Sequence, residues 1–217
     1  MSQNHVVWDI PTRIFHWSVV VCVALAWWSG EEGNFEVHEW AGYTLVVLVL
    51  TRIVWGFVGS RHSRFGDFLA GPRHVLAYLR GAGSSTPGHN PLGGWSVMAL
   101  LSLLLIQGVS GLFNSDDILF DGPLHYLGGD FSDTMGEIHE IAFNLLLAFV
   151  ALHIAAIAYY QVFRRDQLVR VMLLGKADGK SGREAPRSAW LALVIFAVIA
   201  AAFWFGLEQA PQPTSYW

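Results

Sequence analysis

Five apolar runs punctuate the chain, each close to the length that crosses a bilayer as one helix: about Thr12 to Gly30, Val37 to Val58, Leu92 to Phe113, Glu137 to Phe163 and Ser188 to Leu207. The polar stretches between them are short, which leaves no room for a separate soluble domain. The pattern predicts an all-α transmembrane helical bundle, with any chemistry inside it or at its two surfaces. Between the second and third runs, Pro72 to about Arg80 reads as a short amphipathic helix with Val75, Leu76 and Leu79 on its apolar face, lying in the headgroup plane. GAGSSTPGHNP then reads as a turn-rich linker. After the fourth run, FRRDQLVRVMLLGK is expected to extend that helix into the cytoplasm.

The fourth run carries His139 and His153, fourteen residues apart. At 100° per residue the second ring returns to within about 40° of the first, and the rise between them is about 21 Å. Intramembrane histidines are expected to face a bundle interior and to bind or relay something. His16 lies near one end of the first run and His38 at the start of the second. With alternating spans, His38 and His139 fall near the outer surface, and His16 and His153 in the inner half. Depth sorts the four into two pairs, each drawn from two helices, as bis-histidine haem ligation inside a bundle requires. Two axial imidazoles leave iron no open position, which favours electron transfer over oxygen activation. The third span holds no histidine; Gln107, Ser110 and the Gly108/Gly111 pair suggest close packing there with a few interhelical hydrogen bonds.

Several neighbours suit a haem. Arg13, three residues before His16, and Arg52, deep in the second span, need anions that propionates could supply. Gly42, one turn beyond His38, lets a flat macrocycle approach the backbone.

Charge sets the orientation. The chain has 217 residues and a formal net charge of -4, and all 13 Lys and Arg lie at Arg13, between Arg52 and Arg80, or between Arg164 and Arg187. These segments share one side, which the positive-inside rule makes cytoplasmic, with the amino terminus inside and the carboxyl terminus outside. Twelve acids fall on the other side: Glu31, Glu32, Glu36, Glu39, Asp116, Asp117, Asp121, Asp130, Asp133, Glu137, Glu140 and Glu208. Such a face either keeps the surface soluble or steers a basic protein partner. The single cysteine, Cys22, excludes a disulfide framework and CxxCH haem attachment within the chain, and reads as a small buried apolar residue. The first span is expected to be retained, since no basic leader or small-residue cleavage site accompanies it. His5 reads as solvated, His62, His74 and His89 as mostly structural, with His74 the best placed to carry protons at the membrane surface, and His125, in the acidic outer loop, as touching a partner or nothing.

WDIPTRIFHW, HEWAGY, RIVWGFVGSRHSRF, GPRHVLAYLRG, GHNPLGG and EIHEIAFNLLLAFVALH resemble the bacterial cytochrome b561 family, which is related to the cytochrome b subunits of nickel-iron hydrogenases. The resemblance runs from about Trp8 to Lys176. It implies a four-helix core with two b haems, His16, His38, His139 and His153 at the ligand positions, and exchange of electrons with membrane quinone. The expected organisation is thus a di-haem domain over residues 1–176, followed at 177–217 by a linker, a fifth transmembrane helix and a short periplasmic tail.

The expected function is electron transfer in the bacterial inner membrane between the quinone pool and a periplasmic redox protein such as a c-type cytochrome. The alternative is the membrane anchor of a larger oxidoreductase such as a hydrogenase. Superoxide oxidation with quinone as acceptor fits poorly, because an outer face with twelve carboxylates and no Lys or Arg repels an anion. A transporter is disfavoured by the lack of broken helices or an inverted repeat. Expected partners are membrane lipid, quinone or quinol and the redox protein, with no nucleic acid, and with a homo-oligomer left open.

Overall fold

A computed structural model of the chain describes residues 6–81, 88–115, 120–176 and 184–211. His5, Asp116 and Asp117, most of the GAGSSTP linker, residues 177–183 and the tail from 212 lie outside the described residues. The described residues are helical, in chain order α1 (Ile10–Glu31), α2 (Phe35–Val58), α3 (Phe65–Phe68), α4 (Pro72–Leu79), α5 (Pro91–Gly111), α6 (His125–Gly128), α7 (Asp130–Phe163), α8 (Leu168–Leu174) and α9 (Ala189–Glu208). Helices α1, α2, α5, α7 and α9 are long and apolar enough to cross a membrane. The protein is a multi-pass, all-α membrane protein.

Two boundaries differ from the sequence reading. Helix α7 begins at Asp130, seven residues before the expected Glu137. Asp130 and Asp133 sit in its first turn, where carboxylates complement the helix dipole, so residues too polar for lipid still extend the helix. The basic stretch after α7 does not continue it. The chain breaks after Phe163, Arg165 takes a positive φ of 56°, and the amides of Arg164 and Asp166 both close on the Tyr160 carbonyl before α8 starts.

The chain divides into two compact units. One comprises Met1–Trp17, Thr51–Leu100 and Phe149–Ile195. Its hub is Asp9, which is buried. One carboxylate oxygen accepts from the Thr12 amide at 2.8 Å, capping α1, and the other accepts from Trp55 Nε1 at 3.0 Å and Ser63 Oγ at 3.2 Å. The end of α8 is tied to the same region: Gly175 O accepts from the Val7 amide at 2.7 Å, and Leu173 O accepts from Arg13 Nη1 at 2.6 Å. Glu184 pairs with Arg61 and Arg64, and the Arg187 amide donates to Ser60 Oγ.

The other unit comprises Ser18–Leu50, Leu101–Ala148 and Phe196–Trp217. Its core runs along α2 from Leu45 to Val49, with Leu101, Leu104, Ala142 and Leu146. Gly108 admits Val46 so closely that any Cβ there would meet it at 2.6 Å, which is how a residue without a side chain lets α5 approach α2. The C-terminal end of α9 packs on α2, with Trp204 stacked on Trp40 at 5.6 Å and Phe203 against Tyr43 at 5.7 Å. Cys22 is buried, as expected.

Candidate functional site

Each unit contains one histidine pair. In the first, His16 on α1 and His153 on α7 have ring centres 6.5 Å apart. In the second, His38 on α2 and His139 on α7 have ring centres 6.2 Å apart. An imidazole nitrogen bonds a first-row metal at about 2 Å, so with each ring centre a further ~1 Å behind its nitrogen, two rings on opposite sides of one ion stand about 6 Å apart. Both pairs have about that spacing. The residues therefore fit a bis-imidazole metal centre.

The His38–His139 pair is oriented by its surroundings. His38 Nδ1 lies 2.8 Å from the Ala26 carbonyl, and the hydrogen bond that it donates there leaves Nε2 with a free lone pair. His139 Nδ1 faces the Gln107 carbonyl at 3.0 Å and Ser110 Oγ at 3.2 Å, while its Nε2 accepts from the Gln107 side-chain amide at 3.0 Å. A metal held by His139 Nε2 would displace that amide, whose Oε1 is buried without a partner. Glycines on the facing helices leave room for the rings. A Cβ on Gly30 of α1 would stand 3.2 Å from His38 Nδ1, and one on Gly111 of α5 would stand 2.9 Å from His139 Cε1.

A cavity of about 610 Å³ opens beside this pair, lined by His38, His139 and Gln107 and rimmed by Glu31, Asp133, Glu137 and Glu140. Gly42 faces open space, with nothing within 4 Å of a Cβ built on it, so it touches neither ring. Of the glycines that do, Gly30 was not singled out in the sequence and Gly111 only as a close-packing residue, because they contact the histidines across helices rather than along one.

The His16–His153 pair has fewer partners. His16 Nδ1 and Trp17 Nε1 are buried without hydrogen bonds. Two arginines of the same unit also hold unpaired buried nitrogens: Arg13 at Nε, its Nη1 being spent on Leu173, and Arg52 at Nη1. Arg52 is buried, lies 5.4 Å from the centre of the Phe65 ring and feels the charge of Asp9. Unsatisfied cationic nitrogens in the unit that holds this histidine pair are what an anionic ligand edge would satisfy.

Of the remaining histidines, His62 bonds Asp67 at 3.0 Å, and His89 is enclosed by Trp8 and Phe68 with ring centres at 4.7 and 4.5 Å. His125 Nδ1 lies 3.2 Å from the Phe113 carbonyl, and His74 is exposed on α4.

Comparison with known proteins agrees with this architecture. The chain is 24% identical to the probable Ni/Fe-hydrogenase 1 B-type cytochrome subunit of Escherichia coli (strain K12), over 83% of this chain and 93% of the relative. It is 25% identical to the probable Ni/Fe-hydrogenase B-type cytochrome subunit of Bradyrhizobium diazoefficiens, over 78% and 84%. It is 23% identical to the corresponding subunit of Rhodobacter capsulatus, over 82% of each. No solved structure matches. The family model for prokaryotic cytochrome b561 matches residues 7–175, a span that holds all four paired histidines and stops before α9. The chain belongs to the prokaryotic cytochrome b561 family, with haem b as its implied prosthetic group.

Proposed function

We propose that this membrane electron-transfer protein holds two haems b, one between His16 and His153 and one between His38 and His139, and passes electrons between membrane quinone and a redox protein at its outer surface. The observation that carries the reading is the pair of ring spacings, 6.5 and 6.2 Å, each between residues of different helices. Bound haem supplies a one-electron centre, and two axial imidazoles keep oxygen off the iron. The protein's part is positional. Ala26 fixes the His38 ring, Gln107 and Ser110 fix that of His139, and the unpaired nitrogens of Arg13 and Arg52 are available to propionates. Gly42 leaves a flank on which a flat ring can lie. These assignments rest on residues 1–176, with 177–217 as an appended linker, helix and tail. The charge sorting supports the bacterial inner membrane with the amino terminus cytoplasmic.

The relatives' names support a membrane cytochrome subunit of a larger oxidoreductase better than a freely diffusing c-type cytochrome as partner. One observation keeps the second reading: four carboxylates rim the cavity beside His38 and His139, a surface suited to a basic partner in transient encounter. Purification in mild detergent at low and high salt separates them. A stoichiometric iron-sulfur or nickel-iron partner that survives high salt supports the subunit reading; electron exchange with a basic cytochrome that slows steeply with salt supports the encounter. Failure to reduce an acceptor trapped inside vesicles from an outside donor would contradict both.

A further inference from the structure

Asn90, the residue before α5, receives the Gly93 amide on its Oδ1 at 2.7 Å and so caps that helix. The cap settles which way the amide points: Nδ2 is turned away from the helix and donates to the Tyr160 hydroxyl at 3.0 Å. Tyr160 in turn shares a hydrogen bond of 2.9 Å with the Tyr78 hydroxyl on α4. Two hydroxyls carry two hydrogens and only one lies between them, so the other has no acceptor among the described residues, and neither has the second Nδ2 hydrogen of Asn90. This is a polar cluster with donors to spare. It is also partly accessible, since all three residues are only half-buried.

Its position gives the surplus a meaning. Tyr160 follows His153 by seven residues on the same continuous helix, which is two turns, so it lies on the same face about 10 Å further along. Tyr78 belongs to the amphipathic α4, which buries none of its residues and exposes Leu76 and Leu79. A helix of that kind lies at the boundary between headgroups and acyl chains. His74, one turn before Tyr78, is exposed. A ligand for this place therefore needs oxygen acceptors that meet these surplus donors, and an apolar tail that stays in the bilayer.

We propose that Tyr78, Tyr160 and Asn90 form the binding site for a quinone headgroup, with the spare hydroxyl and amide hydrogens donated to a ring oxygen and the tail leaving past Leu76 and Leu79. The proposal rests on the electron-transfer reading above, which calls for a quinone without locating it. Tyr160 and Tyr78 are binding residues here and hold no haem.

The test uses the full-length, haem-loaded protein in detergent, with decylubiquinone and its quinol as probes. Tyr160→Phe and Tyr78→Phe keep the rings and remove the hydroxyls. Each is expected to weaken decylubiquinone binding at least tenfold in equilibrium dialysis and to raise the quinol concentration that half-saturates haem reduction by a similar factor. Haem content and the rate of reduction by dithionite should stay at the wild-type values. Wild-type binding in both variants would overturn the site while leaving the electron-transfer reading intact. A wild-type protein that binds no quinone would overturn both. Loss of haem in both variants would assign the cluster a purely structural role and would also overturn the proposal.

Discussion

His38 is tied to the first helix by a hydrogen bond of 2.8 Å between its Nδ1 and the Ala26 carbonyl, and one turn beyond Ala26 the absent side chain of Gly30 leaves the space in which the ring stands. Direction and room thus come from one helix and the imidazole from another. Substituting Gly30 or Gly111 by Val should tilt the neighbouring ring and lower occupancy of the outer haem severalfold, without touching the inner one. The check is the haem content of each purified variant, with the two haems resolved by redox titration.

Gly42 gives a complementary prediction. A side chain there meets nothing in the protein itself, so Gly42→Val should leave the fold of the protein without haem unperturbed. It should nevertheless reduce retention of the outer haem, because the proposed arrangement lays the macrocycle on that flank. Comparing thermal unfolding of haem-free protein with haem retention in the loaded protein separates the two effects; equal retention in wild type and variant would remove Gly42 from the site.

Asp9 holds together groups from three parts of its unit, namely the Thr12 amide, Trp55 and Ser63. Asp9→Ala strands buried donors and leaves the buried Arg52 without the carboxylate whose charge it feels. A loss of the order of 3 kcal/mol is expected from breaking such a network. The midpoint of chemical denaturation in detergent measures it, and Asp9→Asn, which preserves shape and some of the hydrogen bonds, should lose less.

The imidazole of His89, outside the spanning helices, is pushed down to about 3, first by burial and then by the positive charges of Arg52 and His62, with His153 adding to them and Asp67 opposing. In the unfolded chain the same group titrates near 6.5. Between those values the unfolded state holds a proton that the folded state does not, so stability is full above pH 6.5 and falls as pH drops towards about 3. Denaturation midpoints from pH 7 to pH 4 should decline more steeply in the wild type than in His89→Gln. Parallel curves would show that His89 contributes nothing to acid sensitivity.

Much of this was legible in the sequence, and the misses share a cause. Hydropathy marks the residues that sit in lipid, so it located the five spans and the four histidines on them. It says nothing about where a helix continues into polar residues, which is why α7 starts at Asp130, or where a basic stretch breaks, as at Arg165. The pairing of His16 with His153 and of His38 with His139 followed from depth and helical phase, both local properties. Asp9, Gly30 and the Asn90–Tyr160–Tyr78 cluster were hidden because their roles depend on contacts between residues far apart in the chain, and Gly111, expected only to pack closely, was not expected to face His139. Gln107 and Ser110 are intermediate: interhelical hydrogen bonding was expected of them, but not that its target would be His139.

The central claim is that four histidines hold two irons. The most direct measurement is the amount of haem b per chain, taken from the reduced-minus-oxidised spectrum of the wild type and of the four single His→Ala variants. The account predicts two per chain in the wild type and one in each variant, with His16→Ala and His153→Ala keeping the same haem and His38→Ala and His139→Ala keeping the other. A wild type that saturates at one haem, or a variant set in which the partners of a pair lose different haems, would contradict it.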